Sequence, residues 1–307
     1  MNYTLHQLSV FATVAAEKSI TRAAEKLHLT QPAVSIQLRN FQAQFDVPLT
    51  EVVGRKLYIT DFGKEIAQAS RAILLEVDAI NLRTLSFKGR QTGKLNISIV
   101  STGQYVMPAF LSGYVQQHPD VKWQLDVTNK ARVLRSLEEN EVDFSLVSVL
   151  PENLAIEKLE LLRNKLFLVA AGKQVFEKKM YDKRIFETLP LLFREPGSGT
   201  RHTMEQYLVQ QRLPVKPTIE LTSNEAVKQA VIEGLGCSIM PLIGIKNELK
   251  NGDLKIVPVK GFPLQSVWNL IWLKGKRHSP LAENYLQYLR KEKLQIIRDK
   301  FSWSERY

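Results

Sequence analysis

Gln31, Ser35, Gln37 and Arg39 share the polar side of a short helical pattern. Amide, hydroxyl and guanidinium groups arranged in this way suit the base edges and phosphates of a DNA major groove. Val34, Leu38 and Phe41 form the narrow apolar stripe that would hold such a helix down. Thr30 offers an oxygen to cap it, and Pro32 falls in its first turn, where a missing N–H costs nothing. Just ahead, Ile20, Ala23, Ala24 and Leu27 mark one face of a preceding helix. Two helices abutting across a tight turn are a helix-turn-helix signature, so the expected partner is double-stranded DNA. Gln31, Ser35 and Gln37, with Thr30 at the helix entrance, are the candidates for base-edge or adjacent phosphate contact. Arg22 and Arg39 are better placed for phosphates, and Arg55 and Lys56 could reach the backbone or the minor groove. On an isolated helix Ser35 and Gln37 would read as solvent-facing; the abutting helix turns the reading towards contact.

A second group of residues suits a small anion. Arg194-Glu195-Pro196-Gly197-Ser198-Gly199-Thr200-Arg201 follows a strand pattern and opens a helix. Backbone N–H groups, the Ser198 and Thr200 hydroxyls and the Arg194 and Arg201 guanidiniums would converge there on a positive helix end. The same residues fit equally well a tight turn with Thr200 as cap and Arg201 in a surface ion pair. Ser101 and Thr102, Asn129, and Ser223 with Asn224 also follow strand patterns, at the ends where open α/β sheets bind ligands. Each singly is more often an N-cap; together they form the expected effector-binding set.

Catalytic and metal-binding chemistry has little to work with. The five histidines (His6, His28, His118, His202, His278) are scattered, with no His-Glu-x-x-His pair, Cys/His cluster or Gly-x-Ser-x-Gly elbow. No enzyme activity, metal or cofactor is expected. Cys237 is the single cysteine and sits among small apolar neighbours, which makes it a buried hydrophobe before a redox sensor. At 44% hydrophobic and 24% charged residues the composition is that of a globular protein. No apolar run of about 18 residues occurs, and the N-terminus lacks a signal pattern, so a cytoplasmic location is expected. The net charge of +11 favours a polyanionic partner, but residues 1–60 hold only six basic against four acidic residues. The stretch from Lys274 to Tyr307 holds nine against four, as a solvated basic face would. The helix-turn-helix, more than the charge, points to DNA.

Around these groups the chain divides into three parts. Residues 1–60 form the DNA-binding head, with Leu5, Leu8, Phe11, Ala12 and Ala15 in a first helix. Residues 61–92 form a linker helix and a hinge at Lys88–Gly93; Phe62, Ile66, Ala69, Ile73, Val77 and Ile80 recur at steps of four and three. Such a stripe calls for a partner helix, hence a dimer, unless it packs on its own chain. Residues 93–307 alternate strands and helices, which implies a parallel sheet covered on both faces. Two crossings divide this part into one lobe of residues 93–163 and 266–307 and another of residues 164–265, with a cleft between them.

The order of helices, then Val47-Pro48-Leu49, Gly54-Arg55-Lys56 and Thr60-Asp61-Phe62-Gly63, resembles the winged helix-turn-helix head of LysR-type transcriptional regulators. The chain departs from that pattern at Thr50-Glu51-Val52, where the family commonly carries Phe-x-Arg. The resemblance covers the whole chain. It implies an N-terminal all-α winged helix-turn-helix with a long linker helix, and a C-terminal two-lobed α/β effector domain like a periplasmic binding protein. It also implies pairing through the linker and a homotetramer. Ser101 to Tyr105, Asn129, Arg194 to Arg201 and Ser223 to Ala230 are similar to the branch that regulates carbon dioxide fixation genes, which senses phosphorylated sugars or other central metabolites. The expected function is transcription regulation switched by a small anionic metabolite, a phosphorylated sugar or carboxylate. The alternative is an architectural or repressor protein that binds DNA without a ligand.

Overall fold

Thr4 and Gln7 cap one another reciprocally and start helix α1, Leu5–Glu17. Ser19 caps α2, Ile20–Leu27, and Thr30 caps α3, Gln31–Gln42, accepting from the Ala33 N–H. Lys18 and His28 end the first two helices in the left-handed region (φ 49° and 54°), which keeps both connections short. Strands β1, Thr50–Val53, and β2, Lys56–Ile59, pair antiparallel, and α4 runs from Asp61 to Phe87. The head is therefore helical with a two-stranded wing rather than all-α. The computed structural model describes residues 2–54, 56–87, 92–214 and 217–307, so Arg55 and Lys88–Gln91 of the hinge lie outside the described residues. The chain forms two compact units, Met1–Gln91 and Thr92–Tyr307.

The apolar faces of α1, α2 and α3 meet in one core with Phe11, Val34, Leu38 and Phe41 buried. Phe62 and Ile66 from α4 pack against it, so the first two positions of the linker stripe serve the head itself. Further along, Ile73 is exposed. Gly63 lies where a Cβ would come within 2.0 Å of the Leu49 carbonyl oxygen, so α4 can approach the wing only with glycine there. The aromatic anchor absent from the wing is replaced locally. Phe45 meets Phe41 and Phe62 edge-on, Leu49 is fully buried, and the Thr50 hydroxyl donates to Gln42 Oε1 at 2.7 Å.

In the second unit, β3 (Gly93–Val100) pairs parallel with β4 (Val121–Thr128) and with β5 (Phe144–Val147). Helix α5 (Met107–Gln117) follows a 3-10 turn at Ser101–Tyr105, and α6 is Lys130–Glu138. β6 is far longer than its apolar run suggests, Ile156–Ala171, because its first half mixes charged and apolar residues on a half-exposed ribbon. It pairs antiparallel with β11, Leu264–Leu273, with a bulge between Trp268 and Asn269. The sheet, expected to be parallel, is thus mixed. The two strands that cross between lobes run out and back, and out-and-back neighbours must be antiparallel.

The second lobe adds short α7 (Ile185–Thr188), β7 (Leu192–Arg194), α8 (Gly199–Gln210), β8 (Ile219–Leu221) and α9 (Asn224–Ile232). It closes with β9 (Ser238–Pro241), α10 (Lys246–Asn251) and β10 (Leu254–Ile256). β9 and β10 both pair with β6, while β7 and β8 form their own parallel pair. Helix α11, Pro280–Phe301, returns to the first lobe and buries Tyr285, Leu286 and Leu289 against α5 and β3. Each lobe has its own apolar core, around Trp268 and Phe110 in one and around Phe186 and Ile239 in the other. Among the described residues no helix is long and apolar enough to cross a membrane.

Candidate functional site

In the head, Thr30, Gln31 and Arg39 are exposed on α3, and Ser35 and Gln37 are half-buried on its polar side. Lys56 is exposed at the wing. Arg22 is exposed on α2 but donates to the Glu17 carbonyl at 2.7 Å, so its guanidinium is partly engaged at home. Ile36 on α3 is also exposed, an apolar group able to meet a thymine methyl.

In the second unit the parallel strands end together. Val100 leads into Ser101 and Thr102, Thr128 into Asn129 and Lys130, and Val147 into Ser148. From the other lobe Arg194, Glu195, Ser198 and Gly199 face the same cavity. Arg194 is only 5% exposed; its Nε and Nη2 donate to Glu195 Oε2 and Oε1 at 2.7 and 2.8 Å. Its Nη2 also donates to the Ser101 hydroxyl at 3.1 Å, a bond from lobe to lobe. Asn129 caps α6 and Ser198 caps α8, accepting from the N–H groups of Arg132 and Arg201. Two helix N-termini therefore point their partial positive charge at one place. Burial beside the cavity holds the Lys130 ammonium below its usual pKa, although Glu152 opposes this. A Cβ on Gly199 would stand 3.3 Å from the Ser148 hydroxyl, so the lobes nearly touch. The cavity has room for about 10 Å³, the space of one water.

Five of the nine expected effector residues, Ser101, Thr102, Asn129, Arg194 and Ser198, line this cavity; Thr200, Arg201, Ser223 and Asn224 do not. Arg201 donates to Glu205 at 2.6 Å, to Glu220 and to the Arg194 carbonyl at 2.8 Å, so it braces the strand carrying Arg194. Burial opposes its charge, but the two carboxylates outweigh this and raise its pKa. Thr200 is buried inside α8, and the cap there is Ser198 instead. Ser223 caps α9, and Asn224 donates to the Tyr105 hydroxyl at 3.4 Å. Lys130, Ser148 and Glu195 also line the cavity, outside the expected set; Ser148 follows a strand end, so the strand-end rule reaches it. Burial pushes the Cys237 thiol up to about 11, which leaves it protonated and inert at neutral pH.

A helix-turn-helix head with a wing, followed in the chain by a two-lobed domain with a polar cleft between its lobes, defines a one-component transcription regulator. Residues 5–64 match the family of bacterial regulatory helix-turn-helix proteins of the lysR type, and residues 88–293 match the LysR substrate binding domain. The chain belongs to the LysR family of DNA-binding regulators, a family of regulators rather than enzymes. It is 39% identical to the transcriptional activator CmpR of a Synechocystis species over 290 residues, 94% of this chain and 95% of that one. It is 36% identical to a RuBisCO operon transcriptional regulator of Acidithiobacillus ferrooxidans over 287 residues, 93% of each. Its second unit resembles the regulatory domain of Synechocystis CcmR, solved in complex with 2-PG. There the TM-score is 0.62 at 29% identity, covering 64% of this chain and 96% of that one. The carbon fixation branch of the family is thus where its relatives lie.

Proposed function

We propose that a small anionic metabolite, a phosphorylated sugar or a carboxylate, enters the inter-lobe cleft and switches the DNA binding or promoter activation of this regulator. The convergence of Arg194, Ser101, Thr102, Asn129, Ser198 and Lys130 on two helix N-termini carries the reading. The 2-PG bound to the CcmR regulatory domain supports an anion of this size. Room for one water means that the lobes must part to admit it. The ligand anion would then replace Glu195 on Arg194 and displace the Ser101 contact. Ligand shifts the equilibrium only by its differential affinity for the two lobe arrangements.

Gln31, Ser35, Gln37 and Thr30 on α3 would meet the major groove, with Arg39, Arg22, Arg55 and Lys56 on phosphates or in the minor groove. The exposed Ile73 on α4 supports pairing of linker helices, and the family resemblance supports a cytoplasmic homodimer or homotetramer. Head, linker and effector parts would divide at residues 60 and 92. Footprinting of the purified protein on DNA upstream of its own gene and on a RuBisCO operon promoter tests the reading, with and without phosphorylated sugars and carboxylates. A protected region spanning several helical turns, shortened or shifted by one metabolite, is the expected result. Protection indifferent to every metabolite would instead favour the ligand-independent repressor.

A further inference from the structure

A second cavity, about 280 Å³, lies between α10 and the segment after α11, near the lower end of the volumes that ordinarily hold small ligands. Tyr105, Lys228, Lys246, Glu248, Lys300 and Trp303 line it, so three lysines and one glutamate surround it. The Lys246 ammonium sits 5.0 Å from the centre of the Trp303 ring. Phe301 and Ile243 add an apolar wall. The Lys228 side chain is only 9% exposed and bridges Glu248 at 2.7 Å and Glu225 at 2.9 Å. Tyr105 cannot swing aside freely, because even a Cβ on Gly244 would come within 2.9 Å of its ring.

We propose that this cavity binds a flat ring bearing a phosphate or carboxylate, at a site separate from the cleft. The ring stacks on Trp303 in place of the Lys246 ammonium. The anion is held by Lys246 and Lys300 and competes with Glu248 for Lys228. The site also has a route to the cleft. The 3-10 turn at Ser101–Tyr105 begins with two residues that line the cleft and ends with the tyrosine that lines this cavity. The Tyr105 hydroxyl donates to Glu225, which is tied to Lys228. A ligand that draws Lys228 away from its carboxylates loosens this turn at one end and so changes the setting of Ser101 and Thr102 at the other. The site stands whatever the cleft binds.

Calorimetric titration of the full chain with phenyl phosphate, at constant ionic strength and beside inorganic phosphate, tests the proposal. Phenyl phosphate is expected to saturate with an affinity at least tenfold above that of inorganic phosphate. Lys246→Glu and Trp303→Ala should each weaken it at least tenfold, while Lys130→Ala in the cleft leaves it within twofold. Lys246 is exposed, so its variant decides the matter even where loss of the half-buried Trp303 impairs folding. No saturable binding, or affinity insensitive to Lys246→Glu, overturns the site; a loss with Lys130→Ala alone moves the probe to the cleft.

Discussion

Arg39 and Lys56 in the head stand exposed, whereas Arg194 in the cleft is 5% exposed and already holds a carboxylate with two of its nitrogens. The contrast follows from the ligand each region serves. DNA is a continuous polyanion, and exposed cations on a rigid helix meet it by releasing counterions, with no internal partner to give up. A metabolite must be distinguished from water and must change the protein, so its site is buried, preorganised and occupied by an internal substitute. In the proposed reading Glu195 has that part: it keeps the buried Arg194 guanidinium paired, and a ligand anion would take its place.

The sharpest way to separate the regions is Gly63→Val. Crowding the Leu49 carbonyl should destabilise the head by roughly 3 kcal/mol and abolish DNA retardation in a gel, while metabolite titration of the second unit persists. Retained DNA binding would show that the wing tolerates displacement. Next in size, Arg194→Met should weaken the effector response at least tenfold by footprinting midpoint and leave DNA affinity without metabolite unchanged. Equal loss of both would break the division of labour. Gln37→Ala should reduce the preference for operator over random DNA by about 1–2 kcal/mol, read by competition binding; an unaltered ratio removes Gln37 from base readout. Arg201→Ala should cost about 1 kcal/mol of stability in denaturant melts, with the effector midpoint within twofold. A tenfold shift in that midpoint would return Arg201 to the site.

The smallest effect is a pH dependence. Both ring nitrogens of His278 are buried without a hydrogen-bond partner, between Phe144 and Trp272. Burial, helped by the Lys276 ammonium, lowers its pKa below the ordinary 6.5. The unfolded chain therefore takes up the proton first. Stability contributed by the neutral ring is complete above 6.5 and is lost as pH falls from there towards the folded value. The midpoint of thermal unfolding should drop less on acidification in His278→Phe than in the wild type, and identical slopes would discount this histidine.

The head was legible because its information is local. Caps, a proline in the first turn and an apolar face every three or four residues specify α2 and α3 within about twenty residues, and the structure has both. The cleft was legible only in outline. Strand ends announce themselves, but which side chain faces the cavity depends on how two lobes meet. Arg194 and Arg201 look alike in the sequence; one faces the cavity and the other turns behind it to two glutamates. The first half of β6 is not legible in the sequence because Glu157, Lys158, Glu160 and Arg163 read as solvated chain, whereas pairing with β11 supplies its order. β9 is four fully buried residues ending in proline, too short to show a period.

Those paired strands have a further consequence. The chain leaves the first lobe along β6 and comes back along β11, with register held from Ile156–Leu273 to Leu166–Leu264. The second lobe is therefore an insertion whose two ends are fixed one strand spacing apart, about 4.8 Å, by a ribbon that enters its core only at Leu166 and Leu264. A foreign segment grafted between those ends meets a preset anchor rather than an open chain. It has little closure entropy left to lose, so exchanging the half of the pocket carrying Arg194 has to restore only its contacts with the Ser101–Tyr105 turn.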